Sequence, residues 1–238
     1  MSRNSPDGCG STLVLSLKKD RSDSMAADVE MMLFPSQGAF AHWLAAHHDS
    51  SDGVWLQHSK KGAPVPSVSY QEALEVALCF GWIDGQKRSL DAHHYLQRWT
   101  PRRPRSLWSK VNREKVLRYI EEGKMQPSGL AEIERAKKDG RWDAAYESAS
   151  LASVPPELHA AFADHPGAAE FFATLNSQNR YAVLFRLQTA IKPETRLRKA
   201  QEYAAMLARH ETLKPVMAKK RSKADQDATQ ATESDSSR

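Results

Sequence analysis

Hydrophobic and polar positions near the start of the folded region change from helical to strand spacing. Apolar residues in the segment 37–46 recur every three or four positions, which predicts a helix. In the segment 53–58, Val54 and Leu56 alternate with positions such as Trp55, and this period of two predicts a short strand. The folded body is therefore expected to begin with a helix followed by a strand.

The next predicted helix has start and stop signals of its own. Ser69 and Glu72 have the spacing of a capping box, in which each side chain bonds the backbone N–H of the other residue. An apolar run follows, and Gly81 is placed to terminate the helix because glycine adopts the left-handed conformation without strain. These signals predict a helix between residues 69 and 81.

A β-hairpin is predicted after this helix. The pair Asp84 and Gly85 is typical of a tight turn, and residues 95–100 are rich in strand formers. We therefore expect a tight turn at Asp84 and two antiparallel strands around residues 90–94.

The second half of the chain has helical patterns only. Six helices are predicted, each with its own start and stop signals: residues 111–122, 128–138, 156–163, 167–174, 178–190 and 193–209. The fold class is therefore predicted to be α+β, with a small antiparallel sheet and one or two helices in residues 31–108 and a helical half in residues 109–213.

The two ends of the chain are predicted to be disordered. Residues 1–30 are polar without periodicity, and residues 214–238 form a charged tail with almost no large apolar residues. The chain has no run of about eighteen apolar residues, so we expect no membrane span and a cytoplasmic protein. Cys9 and Cys79 lie too far apart in sequence to suggest a metal motif, and both are expected to be free thiols.

Positive charge is concentrated in one part of the sequence. Between Gln86 and Arg118 there are ten basic residues and two acidic ones, which leaves an excess of ten minus two, or eight. Such a cluster creates a surface potential that attracts anions.

The densest part of this cluster is a linker that follows the second hairpin strand, and it contains two prolines and two tryptophans. Its candidate binding residues are Arg98, Trp99, Arg102, Arg103, Arg105, Trp108 and Lys110. Guanidinium groups bind phosphates bidentately and aromatic faces stack on bases or sugars, so the linker favours a phosphate-bearing partner. The alternative is that the tryptophans are buried and the arginines are solvated or paired with helix carboxylates. We expect removal of charge at Arg102, Arg103 and Arg105 to abolish the function of the protein without unfolding it.

A second candidate site consists of Trp82, Asp84 and Gln86. A carboxylate and an amide beside an aromatic wall suit a small polar ligand. As a general base, Asp84 would need a raised pKa, whereas the neighbouring arginines would lower it. The alternative is that Asp84 only forms a turn.

Other polar groups do not form a recognisable catalytic or metal motif. The pairs His47-His48 and His93-His94 are adjacent in sequence and point in different directions, so we expect no metal and no cofactor. No phosphate-binding loop, HExxH, CxxC, GxSxG or GxGxxG motif occurs, which disfavours the common hydrolase, kinase and dehydrogenase classes.

Two further basic groups have simpler interpretations. One lies in the C-terminal helices, where helix capping is the favoured explanation: Arg180, Arg186, Lys192, Arg196 and Arg198. The other is the run from Lys219 to Lys223, which suits a solvated tail, a nucleic-acid tether or a nuclear-import signal.

Several long motifs resemble one known family. Glu75 to Asp84 reads EVALCFGWID and Tyr95 to Asn112 reads YLQRWTPRRPRSLWSKVN, and further motifs lie at Gly123 to Tyr146 and Asn179 to Lys199. Over roughly residues 35–210 the chain resembles the YdeI/OmpD-associated, or bacteriocin-protection, family. The resemblance implies a bacterial-type cytoplasmic protein linked to protection from bacteriocins or cationic antimicrobial peptides. It implies no catalytic residues.

Three functional hypotheses follow. The first is a non-enzymatic stress-protection protein that binds an anionic partner, protein or nucleic acid, through the basic linker. The second is a nucleic-acid-binding module that uses the same surface. The third is an enzyme acting on a phosphorylated or acidic small molecule, which requires a closed pocket around Trp82 and Asp84. The oligomeric state stays open.

Overall fold

A computed structural model describes residues 31–213 of the chain. The elements are β1 (Met31–Met32), α1 (Gln37–His47), β2 (Val54–Ser59), α2 (Tyr70–Cys79), β3 (Trp82–Ser89), β4 (His94–Pro101), α3 (Lys110–Glu121), α4 (Pro127–Lys138), α5 (Pro156–Asp164), α6 (Ala168–Thr174), α7 (Ser177–Gln188) and α8 (Pro193–Ala208). The predictions for residues 1–30 and 214–238, including those for Cys9 and the Lys219–Lys223 run, lie outside the described residues. The described chain forms two compact units, with the boundary between residues 151 and 152.

The first unit contains a four-stranded sheet with the order β1-β2-β4-β3. β4 pairs antiparallel with both β2 and β3, so the hairpin predicted around residues 90–94 is confirmed. The short β1 pairs parallel with β2, which makes the sheet mixed. The α+β fold class is thus confirmed, with the sheet in the N-terminal half and a more helical C-terminal half.

The tight turn predicted at Asp84 and Gly85 is wrong. Both residues lie inside β3, where Asp84 pairs with Trp99 of β4 and a bulge follows before Lys87. Gln97 of β4 holds this irregular segment, because its side-chain amide donates to the Gly85 carbonyl at 2.9 Å. Pairing with a distant strand therefore overrides the local turn preference.

Helix α2 forms as its capping residues predict. The Glu72 backbone N–H donates to the Ser69 hydroxyl, and the Ser69 backbone N–H donates to the Glu72 carboxylate at 2.8 Å. These bonds to Ser69 hold the pKa of Glu72 below its usual value. Gly81 follows the helix with a φ of +77°, so it ends α2 in the left-handed conformation.

One face of the sheet carries the core of the first unit. Val54, Leu56 and Trp99 project from β2 and β4 into a buried cluster with the apolar residues of α1 and α2. The helix α4 packs closely on α2, since Gly129 lies under the Cys79 carbonyl and leaves no room for a side chain. The helices α3 and α4 therefore belong to the same unit as the sheet.

The second unit is a bundle of four helices, α5 to α8. Leu158, Phe172, Leu187 and Leu207 form its buried core with small residues of α8. Sequence spacing places Leu197, Ala200, Ala204 and Leu207 on one face of the last helix; Ala200, Ala204 and Leu207 are buried, whereas Leu197 is 55% exposed. Among residues 31–213, no helix is both long enough and apolar enough to cross a membrane.

Candidate functional site

The basic linker begins where β4 ends, and it forms a fixed turn. The Ser106 backbone N–H donates to the Arg103 carbonyl at 2.9 Å, and the Arg103 backbone N–H donates to the Ser106 hydroxyl at 2.8 Å. Arg103 and Arg105 are exposed on this turn. The turn therefore presents two guanidinium groups to solvent on a hydrogen-bonded backbone.

Arg102 lies under the turn and is buried, with only 5% of its surface exposed. Its Nη1 donates to the Leu107 carbonyl at 3.0 Å, and its guanidinium carbon lies 3.6 Å from the centroid of the Trp108 ring. Burial lowers the pKa of Arg102 to about 10, and the charge of Glu132 opposes that effect. Arg102 therefore stays charged at neutral pH and braces the linker from inside.

Arg141 and Arg135 hold the same linker from the other side. The buried Arg141 donates from Nη1 to the Ser106 carbonyl at 2.8 Å, and Arg135 donates to the Arg102 carbonyl at 3.0 Å. Glu132 forms ion pairs with both arginines. Burial raises the pKa of Glu132, while the nearby arginines act in the opposite direction. These residues make the linker a braced part of the first unit.

The two tryptophans among the candidate binding residues, Trp99 in β4 and Trp108 in the linker, are buried. Trp99 is 0% exposed and Trp108 is 1% exposed, and both belong to the core cluster of the first unit. Trp108 packs edge-on against Trp142, with ring centroids 5.1 Å apart. Neither ring face is open to a base or a sugar. Lys110 is exposed and forms an ion pair with Glu147.

Arg98 lies in β4, the strand that precedes the linker, and is partly buried. Its Nη2 donates to the Asp52 carbonyl at 3.2 Å. Burial lowers the pKa of Arg98, and the positive charge of Arg103 lowers it further. Arg98 and Arg103 are therefore close enough for mutual repulsion, which a bound anion would relieve.

An aromatic residue that sequence reasoning did not assign to the site lies beside Arg98. Trp55 pairs with Arg98 across β2 and β4, on the sheet face opposite the core, and is partly exposed. The guanidinium carbons of Arg88 and Arg98 lie 4.5 Å and 6.0 Å from the centroid of the Trp55 ring. The alternation in residues 53–58 could have indicated this position, because it places Trp55 on the opposite sheet face from Val54 and Leu56.

The structure does not bring Trp82, Asp84 and Gln86 together as a ligand site. Trp82 is buried and donates from its indole N–H to the His48 carbonyl at 3.1 Å. Gln86 is exposed and accepts from Arg88. Asp84 is partly buried and accepts from the Tyr70 hydroxyl at 3.1 Å. Burial and the neighbouring Asp84 carboxylate raise the pKa of Tyr70.

The histidine pairs have local roles in the structure. His47 and His48 each bond a carbonyl of α1 through Nδ1, and His94 pairs with Asp91 at 3.0 Å. Within the part of the chain that the structure describes, no three His, Cys, Asp or Glu side chains gather as a metal site.

Two arginines of the second unit, Arg186 and Arg196, bind backbone carbonyls and a carboxylate. Arg186 donates to the Ala182 carbonyl of its own helix at 2.9 Å. Arg196 donates to the Ala190 carbonyl just after α7 and forms an ion pair with Glu157. The Arg196 contact lies at the end of α7, where capping was expected, whereas Arg186 bonds a carbonyl inside the helix.

A cleft of about 300 Å³ lies elsewhere in the first unit. Its lining is mainly apolar and includes Ala41, Val76, Cys79 and Phe80. Burial raises the pKa of the Cys79 thiol to about 11, so that thiol stays protonated at neutral pH. The cleft therefore offers no activated nucleophile.

Comparison with known proteins gives two separate matches, one in each structural unit. Residues 32–132 match the model of a domain of unknown function (DUF8412), and residues 152–210 match the family described as "Bacteriocin-protection, YdeI or OmpD-Associated". No curated protein and no solved structure matches the chain. The motifs at residues 75–84 and 95–112, on which the resemblance was partly based, thus lie within the match to the domain of unknown function. The match over residues 152–210 supports the predicted resemblance to the bacteriocin-protection, YdeI or OmpD-associated family in that segment.

Proposed function

We propose that the protein is a non-enzymatic, cytoplasmic stress-protection protein that binds an anionic partner. The binding surface is the basic face formed by Arg88, Arg98, Arg103 and Arg105. The family match in the second unit supports a protective role. The basic face in the first unit supports the choice of an anion.

The observation that carries this proposal is the braced linker. Arg103 and Arg105 are exposed on a turn whose backbone is held by the buried Arg102 and Arg141. An immobilised backbone reduces the entropy that is lost when the turn binds a partner. Two buried arginines thus hold the backbone of a turn that exposes two further arginines.

The charge balance of this face supports the same conclusion. Arg88, Arg98, Arg103 and Arg105 form no ion pair with a carboxylate among residues 31–213, whereas Lys110 pairs with Glu147. Guanidinium groups without a carboxylate partner keep a net positive charge that a bound anion can neutralise.

The test is direct binding of two unrelated polyanions, inorganic polyphosphate and oligoglutamate, at low and at near-physiological salt. We expect binding that weakens with salt and falls at least about tenfold in the variant Arg103→Ala/Arg105→Ala. The matched control is Lys115→Ala/Arg118→Ala, which removes the same charge from α3. Equal loss in both double variants, or no binding of any polyanion, would show that the face has no specific role.

The protective role has its own test. A bacteriocin-sensitive bacterial host is given the wild-type chain, the Arg103→Ala/Arg105→Ala variant or the α3 control, and survival under bacteriocin is scored. We expect the wild type and the control to protect and the Arg103/Arg105 variant to fail at equal protein levels. Full protection by that variant would separate the basic face from the protective role.

A further inference from the structure

Trp55 lies on the face of the sheet that the core does not use. In β2, Val54, Leu56 and His58 are buried, whereas Trp55 and Gln57 are partly exposed on the opposite face. A large indole on this face is not needed to fill the core, because the core cluster lies on the other face and does not include Trp55. An explanation for Trp55 therefore has to come from what this face contacts.

Two arginines flank the Trp55 ring. Arg88 of β3 and Arg98 of β4 lie on the same face, with guanidinium carbons 4.5 Å and 6.0 Å from the ring centroid. Each guanidinium makes one hydrogen bond within the described part of the chain: Arg88 donates to the Gln86 side chain at 3.4 Å, and Arg98 donates to the Asp52 carbonyl at 3.2 Å. Both cations thus lie over the Trp55 ring, and Nη1 of Arg98 is buried without a hydrogen-bond partner among the described residues.

The braced linker follows β4, the strand that carries Arg98. Arg103 is exposed on the turn of this linker, and its charge lowers the pKa of Arg98. Positive charge thus continues along the chain from Arg98 on the sheet face to Arg103 on the turn. Alternating positive groups and an aromatic ring match a polymer with alternating phosphates and flat bases.

We propose that this open sheet face binds single-stranded nucleic acid, with a base stacked on Trp55 in place of the Arg88 guanidinium and the adjoining phosphates held by Arg88 and Arg98. This inference rests on the proposed function, because it names the chemical class of the anionic partner. A duplex fits the face poorly, since its bases are already stacked and paired. An acidic protein segment would use the arginines but would gain nothing from stacking of bases.

The test compares four labelled probes: single-stranded oligouridylate, its duplex with oligoadenylate, inorganic polyphosphate and oligoglutamate. Fluorescence anisotropy is measured at low and near-physiological salt for the full chain. We expect oligouridylate to bind at least about tenfold more tightly than the other three probes, because it alone can place a free base on an indole ring.

Three variants assign the effect to the ring. Trp55→Ala is expected to weaken oligouridylate binding roughly tenfold and leave polyphosphate binding unchanged, whereas Trp55→Phe keeps an aromatic face and most of the affinity. Arg88→Ala is expected to weaken both probes, because it removes charge rather than stacking. The Trp55→Phe variant also separates loss of stacking from loss of folding if the alanine variant is unstable.

Each further outcome is decisive. Equal binding of all four probes with no effect of Trp55→Ala overturns this inference and leaves the proposed function standing. Selective binding of oligoglutamate does the same and identifies an acidic protein as the partner class. Failure of every probe to bind overturns both proposals.

Discussion

The guanidinium carbon of Arg102 lies 3.6 Å from the centroid of the Trp108 ring, and both side chains are buried. Arg102 therefore differs from Arg103 and Arg105, although all three occur within four residues of one sequence. The triple substitution suggested by the sequence therefore includes one buried residue, Arg102, beside two exposed ones.

Arg102→Met is expected to destabilise the protein by about 1–3 kcal/mol, through loss of the bond to the Leu107 carbonyl and of the stack on Trp108. Arg103→Ala and Arg105→Ala are expected to change stability by less than about 0.5 kcal/mol, because both side chains are exposed. Urea unfolding of the three single variants measures the difference. Equal stability of all three would contradict the bracing role of Arg102.

Gly129→Ala is expected to be strongly destabilising. A Cβ at residue 129 would lie 2.1 Å from the Cys79 carbonyl oxygen, so α4 would have to move away from α2 at a cost of about 1–3 kcal/mol or more. Gly38→Ala in α1 is the matched control, since nothing lies within 4 Å of its Cβ position. That helix variant is expected to gain about 0.5–1 kcal/mol. Thermal unfolding of both variants shows whether each substitution raises or lowers stability. A stable Gly129→Ala protein would refute the close contact.

Gly53→Ala is expected to damage both stability and anion binding. Gly53 has a φ of +128°, and a Cβ there would lie 2.5 Å from the Trp99 carbonyl oxygen and 2.9 Å from Nη2 of Arg98. Gly62→Ala is the control, because Gly62 also has a positive φ but faces open space. The control is expected to show a strain cost of about 1–2 kcal/mol with unchanged polyphosphate affinity. Unchanged affinity in Gly53→Ala would show that the position of Arg98 does not matter for binding.

His58 is expected to make the fold less stable in mild acid. Its Nδ1 N–H donates to the Val68 carbonyl at 2.8 Å, and Nε2 is buried without a partner. Burial lowers the pKa of His58 below its ordinary value of 6.5, and the positive charge of Lys87 acts in the same direction. The neutral ring is therefore the folded form, so its contribution to stability is full above pH 6.5 and is lost as the pH falls below that value.

The variant His58→Asn tests this assignment, because its side-chain amide can donate to the same carbonyl and does not titrate. Urea midpoints are measured from pH 7.5 down to about pH 5 for both proteins. We expect a smaller loss in the variant than in the wild type. Parallel pH profiles would assign the acid sensitivity to other groups.

The elements that sequence predicted well depend on short-range chemistry. The capping box of Ser69 and Glu72 involves residues three positions apart, so its hydrogen bonds can be anticipated without knowledge of the rest of the fold. Gly81 ends the same helix for an equally local reason. The helix bounds in both units are correct to within a few residues on the same basis.

The errors and omissions depend on distant partners. The Asp84-Gly85 pair looks like a turn until β4 supplies Trp99 as the pairing partner and Gln97 as the bond to Gly85. Nothing local distinguishes Arg102 from Arg103, because its burial depends on Trp108 and Glu132. Trp55 was visible as an aromatic residue in an alternating segment, but its arginine neighbours come from two other strands.

The bulge in β3 affects how separate copies of the protein meet. β3 is the last strand in the sheet order, so one side of its backbone has no neighbouring strand among the described residues. Such an edge can pair with a strand of another molecule and begin a fibre. The interrupted pairing between Asp84 and Lys87 distorts the edge, and the exposed Lys87 and Arg88 would repel an identical copy. Arg88, which contacts Trp55 on the open face, thus also disfavours edge-to-edge pairing of two copies of the sheet.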